Sequence, residues 1–160
     1  MEKHPEIQFL PKEEIKRYQE KRLTETLEYL AAKSPFYQRQ FKDNGIDINK
    51  IRTLEDLRQI PVTTKSDLQV YGSEFCCVKP EEIIDYSTTS GTLGDPVTFT
   101  ETEGDLRHLA YNEQLSFQTA GCKKSDILQE MVTIDRRFMA GLAYFLGARE
   151  LGMGIVRVGN

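Results

Sequence analysis

Apolar residues recur at helical spacing through Ile15, Tyr18, Leu23, Leu27, Leu30 and Ala31, which predicts an amphipathic helix over about residues 12–32. Pro11 and the acidic pair Glu13 and Glu14 suit its start. Ser34-Pro35 ends this helix and opens a shorter one. The serine can cap, the proline fits the first helical position, and Asn44-Gly45 fits the stop. Phe36, Tyr37 and Phe41 are read as packing aromatics of that segment. Thr53 with Asp56, and Thr64 with Asp67, are N-terminal capping patterns with Asp in place of the usual Glu. Each opens a helix of a few turns at most; Pro61 separates them and Gly72 closes the second.

The pattern changes near residue 83. Ile83–Ser87 and the alternating Val97–Thr100 predict two strands, and a hydroxyl-rich loop joins them at the tip of a hairpin. Thr102 with Asp105 opens a helix to about Ala120, ended by Gly121, with Leu106, Leu109, Ala110 and Phe117 on its buried side. A strand over 127–134, a helix over 138–151, a Gly-Met-Gly turn and a strand over 155–158 follow. Strand, helix, strand of these lengths is a βαβ unit with a parallel sheet and right-handed crossover. The expected fold is therefore α/β. A helical N-terminal region (1–82) precedes a β-hairpin and the start of a parallel sheet (83–160). A parallel strand is normally covered on both faces. A sequence stopping at Gly159-Asn160 thus reads as the first part of something longer.

Composition narrows the function classes. The chain has 160 residues, 39% of them hydrophobic and 29% charged, enough for a core. Its net charge of −4 argues against a nucleic-acid partner. No eighteen-residue apolar run offers a membrane span. The charged N-terminus does not read as a signal peptide, so the cytoplasm is expected. Cys76, Cys77 and Cys122 have no zinc-site spacing and are read as reduced thiols, and no metal ligand set is assigned. His4 and His108 are the only histidines. A Cys122–His108 acyl-transfer pair would need the two in contact across a helix end.

The chemistry is concentrated in residues 86–100, where seven of fifteen side chains carry a small hydroxyl and Gly91 and Gly94 lie three apart. Glycine allows close backbone approach, and amides and hydroxyls can surround phosphate oxygens. The same residues also make ordinary turns. The lysine-bearing P-loop and Gly-x-Gly-x-x-Gly patterns are both absent.

The order Thr89-Ser90-Gly91-Thr92-Leu93-Gly94-Asp95-Pro96 resembles the phosphate loop of adenylate-forming enzymes, Ser/Thr-Ser-Gly-Thr-Thr-Gly-x-Pro. Leu93 departs from it, removing one hydroxyl, and Asp95 adds a carboxylate beside the loop. Ser34-Pro35-Phe36-Tyr37 and the run from Ile60 to Leu68, upstream in this order, make the chain similar to phenylacetate-CoA ligases and coenzyme F390 synthetase-like proteins. The likeness runs from about residue 10 to the end and covers the first third or so of such enzymes. It implies ATP-dependent activation of an aromatic or other carboxylic acid to an acyl-adenylate, then a CoA thioester, with Mg²⁺ accompanying ATP. It implies that Thr89, Ser90, Gly91, Thr92 and Gly94 grip the β- and γ-phosphates, and that Phe138 lines the acid pocket. The family's catalytic lysine lies outside this chain, and its members are often homodimers. Arg136 and Arg137 replace small neutral residues there. They suit a substrate with a second anionic group, or are solvated arginines at a helix start. The alternative expectation is a non-catalytic α/β interaction module or an inactive remnant.

Overall fold

The computed structural model describes residues 6–89 and 96–159. Contacts divide the chain into a unit spanning Glu2–Val78 and a unit spanning Lys79–Asn160.

The first unit is helical. α1 (Lys12–Lys33) buries Leu27 against Phe41 of α2 (Pro35–Asp43) and against Ile51, which is 1% exposed. Leu23, Leu30, Ile46, Ile48 and Ile60 pack around these three. Tyr18, expected on the buried face of α1, is exposed instead. Ser34 is wholly buried between the helices. Its Oγ accepts from the Tyr37 amide (3.4 Å) and donates to the Glu74 carbonyl (3.0 Å), which satisfies it twice. The Phe36 ring stacks on Phe75 at 4.1 Å, and Arg39 lies over Tyr71 at 4.5 Å while pairing with Glu74. Gly45 ends α2 with φ +63°, a conformation that suits glycine. The Thr64–Asp67 pattern forms a reciprocal capping box on α3 (Lys65–Tyr71). Gly72 does not close α3 in a left-handed cap. Its φ is −41°, and the chain runs on as a 3-10 turn over Gly72–Phe75.

The second unit carries both sheets. β1 (Ile83–Thr88) and β2 (Thr98–Thr102) pair antiparallel, with Tyr86 opposite Thr100 and Thr88 opposite Thr98. Thr102 then caps α4 (Glu103–Thr119) in a second box, its Oγ1 accepting from the Asp105 amide and the Asp105 carboxylate from the Thr102 amide. β3 (Ile127–Glu130) and β4 (Gly154–Arg157) pair in parallel, joined through α5 (Met139–Leu151). The hairpin, the crossover and the mixed α/β architecture follow the sequence expectation. β3 is shorter than expected, because the chain leaves the sheet at Met131 and approaches α5. There the Thr133 carbonyl lies so near Gly141 that a Cβ on that glycine would come within 2.1 Å of it. Along β3 and β4, Leu128, Glu130 and Ile155 are covered, whereas Ile127 and Val156 are 72% and 50% exposed.

Candidate functional site

The site is built where β1 ends. The Thr89 amide donates to the Val97 carbonyl and the Val97 amide donates to Thr89 Oγ1, both at 3.0 Å. These reciprocal bonds close the neck of the loop. One residue earlier, the Thr88 amide donates to the Arg137 carbonyl at 2.9 Å, tying β1 to the segment that enters α5. Thr89 thus spends its amide and one hydroxyl lone pair on the neck and keeps its hydroxyl proton for an acceptor. Ser90, Gly91, Thr92 and Gly94, the other expected phosphate-binding residues, lie outside the described residues.

Phe138 is the N-cap residue of α5, at the junction of two cavities. The larger, about 410 Å³, has apolar walls that include Phe99, Leu109 and Phe138, and takes its polar groups from Thr88, Thr89, Tyr144 and Glu113. The smaller, about 250 Å³, shares Phe138 with it and adds Asp85, Ser87 and Arg137. Thr89 and Phe138, chosen from the sequence for different ends of a substrate, therefore border one cavity. Glu113 was not singled out from the sequence, though a signal exists. It stands four residues after Leu109 and four before Phe117, a carboxylate in line with the apolar stripe of α4.

Arg136 and Arg137 are exposed, as the solvated reading expects, but stand before the N-cap of α5 rather than in its first turn. They form the turn before α5, both left-handed, with φ of 60° and 61°, closed by the Phe138 amide donating to the Asp135 carbonyl (3.3 Å). Adjacent positive φ values define a type I′ turn, which glycine and asparagine prefer. Each arginine there costs about 1 kcal/mol of backbone energy.

Two carboxylates of the same unit are buried. Glu101 on β2 accepts a hydrogen bond from Ser87 Oγ on β1, while its Oε2 is buried without a partner among the described residues. Burial pushes its carboxyl above the ordinary value, the Ser87 hydrogen bond opposes this, and Asp85 and Asp105 add to the rise. Glu130, at the end of β3, has both carboxylate oxygens buried without a partner among the described residues. Burial raises its pKa against the pull of Arg157. Among the described residues no group of three or more His, Cys, Asp or Glu is placed to hold a metal ion, and no helix is long and apolar enough to cross a membrane.

Comparison with known proteins decides the wider likeness. No protein-family model matches the chain. A phenylacetate-coenzyme A ligase of Thermus thermophilus is 35% identical over 155 residues, which covers 96% of this chain and 35% of that one. A phenylacetate-coenzyme A ligase of Escherichia coli K12 is 30% identical over 145 residues, covering 90% and 33%. The chain matches phenylacetate-CoA ligases over an N-terminal portion. It spans about a third of the length of these ligases. The structure matches a 2-hydroxyisobutyryl-CoA ligase in an open conformation, solved with 2-HIB-AMP and CoA. The TM-score is 0.89 at 23% identity, over 98% of this chain and 37% of that one. The same ligase in its thioesterification state matches with a TM-score of 0.88 at 24% identity. At these identities the structural match establishes the fold that the sequence match to the phenylacetate-CoA ligases already indicates.

Proposed function

We propose that this chain supplies the phosphate loop and the acid pocket of an ATP-dependent carboxylate–CoA ligase. The acid's carboxylate attacks the α-phosphorus of ATP, giving an acyl-adenylate and pyrophosphate. The CoA thiol then displaces AMP to form the thioester. The observation that carries the reading is the shared border. Thr89, at the neck of the Thr-Ser-Gly-Thr loop, and Phe138 line one cavity of about 410 Å³, which supports reading a phosphate contact and an aromatic wall as parts of one site.

In this reading Thr89, Ser90, Gly91, Thr92 and Gly94 hold the β- and γ-phosphates with hydroxyl and amide donors. Preorganised donors of this kind stabilise charge as it moves between oxygens. The bond from the Thr88 amide to the Arg137 carbonyl fixes the loop root against the start of α5, which keeps the nucleophile and the phosphate in register. Phe138 supplies an apolar face to the acid. Mg²⁺ enters as an ion carried on the triphosphate by phosphate oxygens and water. CoA binding and the lysine that completes adenylation are assigned to regions of the relatives beyond the portion matched here. The cytoplasm, where ATP and CoA are available, is the compartment that goes with this reading.

The test is a titration of the 160-residue chain with MgATP, followed by amide resonances. Thr88, Thr89 and Val97 should shift, with inorganic triphosphate reproducing most of the change. Silence at all three under millimolar MgATP overturns the phosphate assignment.

A further inference from the structure

The larger cavity holds one charged side chain among its described lining residues, and it is a carboxylate. Glu113 lines a space whose other described lining residues, Phe99, Leu109, Phe138, Thr88, Thr89 and Tyr144 among them, are all uncharged. Its place is tightly held. A Cβ on Gly147 of α5 would come within 2.3 Å of the Glu113 Cβ and 2.9 Å of its carbonyl carbon, so the two helices touch at this residue. Glu113 is half-buried and cannot swing away from the cavity by moving its backbone.

A carboxylate on such a wall discriminates between occupants. A plain hydrocarbon acid would strip water from it and return no hydrogen bond, and the acid's own negative charge would be repelled. An acid carrying a hydroxyl or, better, an ammonium group away from its carboxylate would replace the lost water with a charge-assisted hydrogen bond. Sites that offer a committed polar partner reject analogues lacking the matching group more strongly than apolar pockets reject size changes.

We propose that Glu113 is a specificity-determining residue, and that the acid taken by this cavity bears a hydrogen-bond-donating substituent, preferably cationic, on its distal part. The inference rests on the acid-activation reading and names its substrate class.

The test compares 4-(aminomethyl)phenylacetate with 4-ethylphenylacetate, acids of matched shape. Calorimetry on the 160-residue chain, with Phe138 and Ala143 amides as site reporters, gives both affinities. The aminomethyl acid should bind about tenfold tighter or more, the range of a hydrogen bond to a charged group. Glu113→Gln should shrink the preference and Glu113→Leu should reverse it, with far-UV circular dichroism checking that each variant is folded. Equal affinities, a preference that survives Glu113→Leu, or no binding of either acid each overturns the proposal. MgATP titrated in parallel separates the two readings. Response to MgATP without acid selectivity removes Glu113 and leaves the phosphate loop; acid selectivity without response to MgATP does the reverse.

Discussion

Thr89 and Val97 exchange two hydrogen bonds of 3.0 Å, one through the threonine hydroxyl and one through its amide, and so clamp the neck of a hairpin loop. Thr89→Val removes the hydroxyl and leaves the Val97 amide unpaired beneath a buried side chain. The cost should be about 1 kcal/mol. The Val97 amide should then exchange with solvent about fivefold faster, while Thr89→Ser holds the wild-type rate. Unchanged exchange in Thr89→Val would show that the hydroxyl bond contributes nothing.

Binding by the loop itself is tested by Ser90→Ala combined with Thr92→Ala, in a chain long enough to catalyse adenylation. Losing two charge-assisted donors should lower ATP use by about two orders of magnitude or more, the worth of two such bonds. Adenylation kinetics equal to those of the parent would remove the triphosphate from this loop.

Helix contact through glycine predicts a sharp asymmetry. Gly147→Ala drives a methyl group to 2.3 Å from the Glu113 Cβ, and Gly141→Ala drives one to 2.1 Å from the Thr133 carbonyl oxygen. Each should cost about 1–3 kcal/mol or more through overpacking, visible as a lower midpoint in urea. Gly104→Ala, whose methyl would meet Thr102 Oγ1 at an ordinary 3.5 Å, should be neutral or slightly stabilising.

The Arg136–Arg137 turn should be improvable. Replacing the pair with Asn-Gly suits two left-handed residues and should stabilise the protein by about 1–2 kcal/mol. A denaturation midpoint that does not rise would show that the arginine side chains offset the backbone cost through contacts of their own.

Stability should also fall with rising pH above the ordinary glutamate range. Burial raises the folded-state pKa of Glu101 and of Glu130, so between the unfolded and folded values the native state binds more protons than the unfolded one. Their unfavourable contribution is absent below the unfolded pKa and is fully developed once pH passes the folded one. Glu101→Gln should flatten part of this slope in thermal melts taken upward from the ordinary glutamate range. An identical slope in parent and variant would place the titration elsewhere.

The elements most legible in the sequence are those with local causes. Thr64 with Asp67 and Thr102 with Asp105 announce their helices because the bonds that start them lie within four residues. The hairpin and the βαβ crossover followed from alternation and segment length in the same way. The early end of β3 was not legible, because it is set by the Thr133 backbone meeting Gly141 on a later helix. Gly72 misled for a related reason. Glycine permits a left-handed cap without requiring one, and packing of Phe75 on Phe36 draws the chain into a 3-10 turn. At the candidate site, Thr89 and Phe138 stood out in the sequence because they sit in recognisable strings, and the structure shows that both line one cavity. Glu113 was passed over because charge on a helix reads as solvent-facing until the neighbouring stripe is considered.

The two sheets also differ in when they can exist. β1 and β2 are joined by a short connection, so their pairing closes only a small loop. β3 and β4 align only after α5 has formed and brought Gly154 back beside Ile127. Chain order therefore lets the hairpin pair while β4 is still to be made, so the Thr89 clamp is able to form before the wall that carries Phe138 closes against it and secures it.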